Sequence, residues 1–234
     1  MKKIFLTSDI GAVTKIDGIK YSKELDNTNN FVEVLKNNIN KEDKIIFFAS
    51  DPDGFETTDM YSKLQFESFN KSGFNFKEYK VIDHRYNGNL KEEIDSSDVV
   101  FLSGGLTPLE MKFFEEINLR ELLKDYEGVI IGQSAGSINL ADNVICTPEE
   151  EYGVLTYKGL NKTNINIEPH FKLDNDNKEL LEITKEYPLY AICDGSFILD
   201  NGIETIVYGE GYYLDKNGSN KLCDNKEIIN IKEE

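Results

Sequence analysis

Five consecutive residues, Gly132-Gln133-Ser134-Ala135-Gly136, carry the pattern G-x-S-x-G inside the stretch GVIIGQSAGSINLA at residues 128–141. An apolar run leads into the pattern and a helical pattern follows at once. Such a turn from strand to helix is tight, so small residues are needed at both ends. The strain lifts the serine hydroxyl above the sheet, where it can act as a nucleophile. Ser134 then lies near the positive end of the next helix, and the Ala135 N–H can donate to an oxyanion. The same five residues also suit an ordinary glycine-lined junction, so the partners decide.

A serine nucleophile needs a base and an acid that orients it. The chain has two histidines. His84 lies in VIDHRYNG and His170 in NINIEPHF, each just past a strand-like run, and Pro169 restricts Glu168 to an extended form. If the turn is catalytic, one of the two is its base. For the acid, Asp194 follows the apolar run of AICDGSF, although Asp-Gly is also a common turn pair. Glu149, Glu150 and Glu151 after VICTP form the alternative. A second oxyanion donor can come from Gly104-Gly105 in FLSGGLTPLE, where glycines let the backbone approach a ligand.

These residues are placed by an alternation of apolar runs and amphipathic stretches. KKIFLTS, KIIFFAS, EYKVID, DVVFLSGG and GVIIGQS read as buried strands of a parallel sheet covered on both faces. Helices are predicted between them over 26–39, 57–72 and 107–125. In TPLE, Thr107 can cap the last, with Pro108 at its first position and Glu110 completing a capping box. This rhythm implies a doubly wound α/β fold with ligands at the carboxyl ends of the strands. After Ser134 the strands come closer together: NVICT, NINIEPHF, LYAICDGS, FILDN, ETIVYGEGYYLD and EIINI. One helix is predicted near 175–186, and a hairpin turn in LDKNGSN has Asn217-Gly218 at its tip. No linker or repeat divides the chain, so residues 1–234 read as a single domain with a strand-rich extension over 202–234 that covers a sheet edge or forms a dimer contact.

With 39% hydrophobic and 29% charged residues the composition is that of a globular protein, and 234 residues suffice to bury a core. The net charge of −17 disfavours nucleic acid as a partner. No run is long enough to span a membrane, and the N-terminal apolar run is broken too early by Asp9 for a signal peptide. Cys146, Cys193 and Cys223 form no CxxC pair and read as reduced residues of a cytoplasmic protein.

Four segments in order, SGGLTPLEM, GVIIGQSAGSINLA, INIEPHF and AICDGSFI, resemble the successive signature segments of the peptidase E family, the family S51 serine exopeptidases related to cyanophycinase. The resemblance covers most of residues 1–200. It implies a flavodoxin-like, three-layer fold similar to class I glutamine amidotransferases, with serine in place of their cysteine. It also implies cleavage of dipeptides after an N-terminal aspartate, without metal or other cofactor. Carried over, the nucleophile falls on Ser134, the base on His170, and the oxyanion donors on the N–H groups of Gly105 and Ala135. The acid maps to Asp194 or to the neighbourhood of Glu149. Gly104 and Lys172 are candidate substrate contacts. Relatives that act on aspartyl dipeptides are expected to carry an arginine after the PHF segment, and none occurs between Phe171 and Cys193. Lys172, Lys178 and Lys185 are the cations available there, and lysine lacks the bidentate fork of arginine. The expectation is a monomeric or homodimeric serine peptidase acting on dipeptides or small peptides, including Asp-X. The alternatives are an esterase-type serine hydrolase and a non-catalytic ligand-binding or regulatory module on the same scaffold.

Overall fold

The apolar runs become the strands of one large sheet. The computed structural model describes residues 3–148, 153–173 and 177–229. In chain order the first part comprises β1 (Ile4–Thr7), β2 (Val13–Ile16), β3 (Ile19–Ser22), α1 (Phe31–Asn38), β4 (Lys44–Phe48), α2 (Phe55–Lys71), β5 (Glu78–Ile82), α3 (Leu90–Asp95), β6 (Val99–Leu102), α4 (Thr107–Glu116), α5 (Leu119–Leu122), β7 (Val129–Gln133) and α6 (Ala135–Ile138). The second part adds β8 (Asn143–Cys146), β9 (Leu155–Lys158), β10 (Ile167–Glu168), α7 (Lys178–Ile183), β11 (Leu189–Ile192), β12 (Phe197–Asp200), β13 (Thr205–Tyr208), β14 (Gly211–Asp215), β15 (Gly218–Cys223) and β16 (Lys226–Ile229).

Eight strands form the main sheet in the order β16-β13-β12-β1-β7-β6-β4-β5. The five from β1 to β5 in that order are parallel, and β12, β13 and β16 continue the sheet antiparallel. Strands β4 to β7 are wound as in flavodoxin-like sheets, while the N-terminal strand takes the place beside β7. The predicted α/β class, with a mainly parallel sheet and C-terminal strands added at its side, is therefore the observed one.

Alternation along each strand sends side chains into two cores. Leu6, Ile46, Phe48, Val100, Leu102 and Ile130 lie in one, packed by Met111, Phe113 and Phe114 of α4 and by Ile138 of α6. Phe5, Ile45, Phe47, Val99, Phe101 and Ile131 lie in the other, against Phe31 and Leu35 of α1 and Phe69 of α2. Burial on both faces explains why these strands read as unbroken apolar runs. A second sheet, β10-β11-β14-β15, carries a small core of Phe171, Ala191, Tyr212 and Leu214. Hairpins β2-β3 and β8-β9 complete the strands, and among the described residues no helix is long and apolar enough to cross a membrane.

Some elements differ from expectation. EYKVID is an edge strand whose Glu78, Tyr79 and Lys80 are exposed, because β5 is the last strand of the sheet among the described residues. The helix predicted over 107–125 breaks at Asn118, which turns left-handed with φ 54°. Its start is not the capping box expected. Thr107 is already helical, Leu106 stands at the cap without a side-chain cap bond, and Thr107 and Glu110 are buried. The β2-β3 hairpin turns at Asp17-Gly18, both with positive φ, a two-residue turn that favours this residue pair. The strand after Tyr208 is interrupted at Gly209, φ 85°, which separates β13 from β14 and sends them into different sheets.

Candidate active site

The turn at Ser134 has the strained geometry the pattern demands. Ser134 has φ 51° and ψ −113°, a region an L-residue rarely occupies. Its backbone N–H donates to the Thr7 carbonyl at 2.9 Å. The buried Ser137 hydroxyl lies 2.6 Å from the Gly132 carbonyl and 2.8 Å from the Thr7 carbonyl, and it accepts the Thr7 N–H at 2.8 Å. A Cβ at Gly132 would stand 2.6 Å from the Ser137 nitrogen, so the pattern's first glycine is required by the close return of the chain. Parallel neighbour β1 thus holds the elbow in place at the carboxyl end of β7.

His170 and Asp194 reach this point from the second sheet. Strands β10 and β11 are parallel, with Glu168 opposite Ala191, so residues just past their ends leave on the same side. The Phe171 N–H bonds the Ile192 carbonyl at 3.1 Å and extends that pairing across the turn. His170 itself adopts φ 58°, which aims its ring away from the strand. Its Nε2 lies 2.9 Å from Ser134 Oγ and its Nδ1 lies 2.7 Å from Asp194 Oδ1. The imidazole and carboxylate are each about half-exposed, with side-chain accessibilities of 48% and 48%, so the site opens to solvent. Burial raises the affinity of the Asp194 carboxyl for a proton. Hydrogen bonds from Ser8 and His170 outweigh that effect, and its pKa is lowered. The group is therefore ionised at neutral pH.

The remaining candidates separate clearly. Gly104 packs against Ser134, since a Cβ there would come within 3.2 Å of Ser134 Cβ. Gly105 faces Ser50, whose hydroxyl donates to the Gly104 carbonyl at 2.9 Å and shapes the loop. Ala135 is the first residue of α6, where backbone N–H groups have no helical carbonyl before them. His84 lies elsewhere. Its Nδ1 contacts Asp53 at 2.8 Å and its Nε2 contacts Glu116 at 3.1 Å, so both ring nitrogens are occupied. Lys172 is exposed and its carbonyl accepts from Asn177 at 2.6 Å. Lys185 pairs with Glu182, and Lys178 opens α7. Glu149, the alternative acid, and Glu150 and Glu151 beside it lie outside the described residues. Gly104, Ser134, His170 and Asp194 are brought together at one place. The arrangement can pass the serine proton to an imidazole whose second nitrogen is held by a carboxylate.

Residues that sequence patterns did not single out complete the surroundings. Ser8, directly after β1, has its hydroxyl 2.6 Å from Asp194 Oδ1 and 2.7 Å from the His170 backbone nitrogen. Gln65 of α2 donates to the Gln133 side chain at 3.0 Å. Asn139, just past α6, donates to Glu110 Oε2 at 2.8 Å and to the Thr107 carbonyl at 3.0 Å. For Ser8 and Asn139 the signal available in the sequence was a polar residue directly after an element whose side chains are core, whereas Gln65 lies within α2 and carried no such signal.

Comparisons with known proteins follow the same line. No curated protein matches the chain. Among solved structures, a presumed peptidase E from Listeria monocytogenes EGD-e superposes with a TM-score of 0.62 at 19% identity, covering 88% of this chain and 98% of that one. A peptidase from an acI-B1 Actinobacterium gives 0.66 at 16% identity, covering 99% and 97%. At these identities the similarity is one of fold. The family model described as Peptidase family S51 matches residues 19–207, a span that includes Ser134, His170 and Asp194. The chain belongs to peptidase family S51.

Proposed function

We propose that the protein is a serine peptidase that hydrolyses dipeptides or other small peptides through an acyl-enzyme on Ser134. The observation that carries this reading is the unbroken chain of hydrogen bonds Ser134–His170–Asp194 in a member of a peptidase family. Ser134 Oγ attacks the scissile carbonyl while His170 Nε2 takes its proton. Asp194 accepts from Nδ1–H and stabilises the imidazolium that forms. The tetrahedral oxygen is held by the N–H groups of Gly105 and Ala135, which approach from two different strand-to-helix turns. His170 then returns its proton to the departing amine, and water releases the acyl group by the same sequence in reverse.

The strained backbone at Ser134 supports this reading over an inert junction, because such conformations persist where surrounding bonds enforce them. A fluorophosphonate probe tests it. Wild-type protein is expected to label and to release free amino acids from dipeptides, and Ser134→Ala to do neither. His170→Ala is expected to lower turnover by about 10³-fold or more, whereas His84→Ala leaves it unchanged. Folded wild-type protein that neither labels nor turns over dipeptides would sink the proposal.

A further inference from the structure

Ser8 is fully buried at the end of β1, on the opposite sheet from the histidine and the aspartate it touches. Its hydroxyl has one hydrogen to give. Asp194 Oδ1 at 2.6 Å is a pure acceptor, and the His170 backbone nitrogen at 2.7 Å is a pure donor. The directions are therefore fixed: Ser8 Oγ–H donates to Asp194 and Ser8 Oγ accepts the His170 N–H. The His170 Nδ1–H is directed at the same Asp194 oxygen, at 2.7 Å, and Ser8 Oγ lies 3.2 Å from Nδ1 as a close neighbour. One residue before it, the Thr7 carbonyl accepts the Ser134 N–H.

We propose that Ser8 is a positioning residue of this site: its buried hydroxyl ties the main chain of His170 to the carboxylate of Asp194, so that imidazole and acceptor keep one mutual orientation. The end of β1 then serves as a common reference for all three groups, with Thr7 holding the nucleophile and Ser8 holding its base and acid. This device answers a local need. Strand β10 has only two residues, and His170 lies beyond its end in a left-handed conformation that a non-glycine residue rarely adopts. The Phe171 N–H holds the chain to β11 just beyond that turn, and Ser8, a fixed point in the eight-stranded sheet, holds His170 itself.

The proposal rests on the reading of Ser134 as nucleophile, and the test separates the two. The full-length chain is treated with a fluorophosphonate across pH 5 to 9 and its labelling rate at Ser134 is compared among wild type, Ser8→Ala, Ser8→Cys and Ser8→Thr. Ser8→Ala is expected to lose about ten- to a hundredfold in the maximal rate, as small misplacements of reacting groups do. Dipeptide KM should stay within about twofold, because the change affects the chemical step and not the binding of substrate. Loss of one of the two side-chain donors on Asp194 leaves its carboxylate a stronger acceptor for the His170 Nδ1–H, which favours the imidazolium over the free base, so the acidic limb of the profile should move to higher pH. The other ionisable groups around the pair are Asp9, which contributes only a backbone N–H to Asp194, Asp26 beneath Gly195, and Cys193 with its neighbours Glu210 and Lys221. All are present in every variant, so they do not account for a shift among them.

Ser8→Thr, which keeps the hydroxyl, should restore most of the rate. Ser8→Cys, close in shape with a weak donor, should fall between serine and alanine and gives the same reading should the alanine variant not fold. A Ser8→Ala protein that labels within twofold of wild type with an unmoved limb would overturn the proposal. So would a loss of melting temperature and rate without a shift of the limb. Failure of the wild type to label would strike the nucleophile reading instead.

Discussion

Histidine chemistry separates the two imidazoles of this chain at the level of single side chains. His170 Nε2 faces a hydroxyl and its Nδ1 a carboxylate, whereas His84 is held between two carboxylates. Hydrogen bonds from Asp53, then Glu116, favour the charged imidazolium and raise the His84 pKa above the ordinary histidine value. A raised folded-state value means the contribution to stability is complete below the unfolded pKa and is lost as pH rises through the folded one. His84→Gln should therefore melt below wild type at pH 5.5 and coincide with it by pH 9, by thermal unfolding at constant ionic strength. The effect is modest because these groups are exposed. An equal difference at both pH values would show that His84 acts by packing on Phe113 and not by charge.

Among the elements, the junction of α4 and α6 sets the relative position of the Gly105 and Ala135 N–H groups, the proposed oxyanion donors. Gly105 precedes α4, Ala135 opens α6, and the fully buried Asn139 bonds the Thr107 carbonyl and Glu110 of α4. Its side-chain Oδ1 accepts from the Tyr157 hydroxyl at 2.9 Å, which brings the β8-β9 hairpin to the same point. Asn139→Leu keeps the volume and removes these bonds. Deprived of that donor, the buried Glu110 carboxylate should make the variant less stable by about 2–4 kcal/mol, read by chemical denaturation. Serine labelling should slow by about tenfold or more as the two turns lose register. A variant as stable and as reactive as wild type would show that helix packing alone sets the junction.

For the whole molecule, the distribution of cations bears on what the site can select. The chain has two arginines among 234 residues and a net charge of −17. Arg85 is held by Asp59 and Asp83, each at 2.6 Å, and Arg120 by Asp142 at 2.6 Å. Neither is available as a bidentate partner for a substrate carboxylate beside Ser134. Preference for Asp-X over neutral dipeptides in kcat/KM should therefore stay below about tenfold, the scale of a single exposed charge contact. A panel of Asp-X, Glu-X and neutral dipeptides measures this. A hundredfold preference for Asp-X would mean that lysines such as Lys172 do the work of an arginine.

The layered fold and the elbow at Ser134 were legible from the chain alone, because both depend on local pattern. Double-sided burial writes unbroken apolar runs into β1, β4, β6 and β7, and the close return of the backbone demands glycine at position 132. Asp194 was one of several possible acids, since a carboxylate after an apolar run looks alike whether it ends a turn or orients a base. What only the tertiary structure decided was the meeting of distant parts: Ser8 with His170 and Asp194, 162 and 186 residues away, and Asn139 with Glu110. Such contacts depend on which strands lie side by side in two different sheets. The parallel pairing of β10 with β11, and the placing of β1 beside β7, leave no periodicity in the sequence. Local pattern therefore specifies the turn at Ser134, and sheet order selects the groups that surround it.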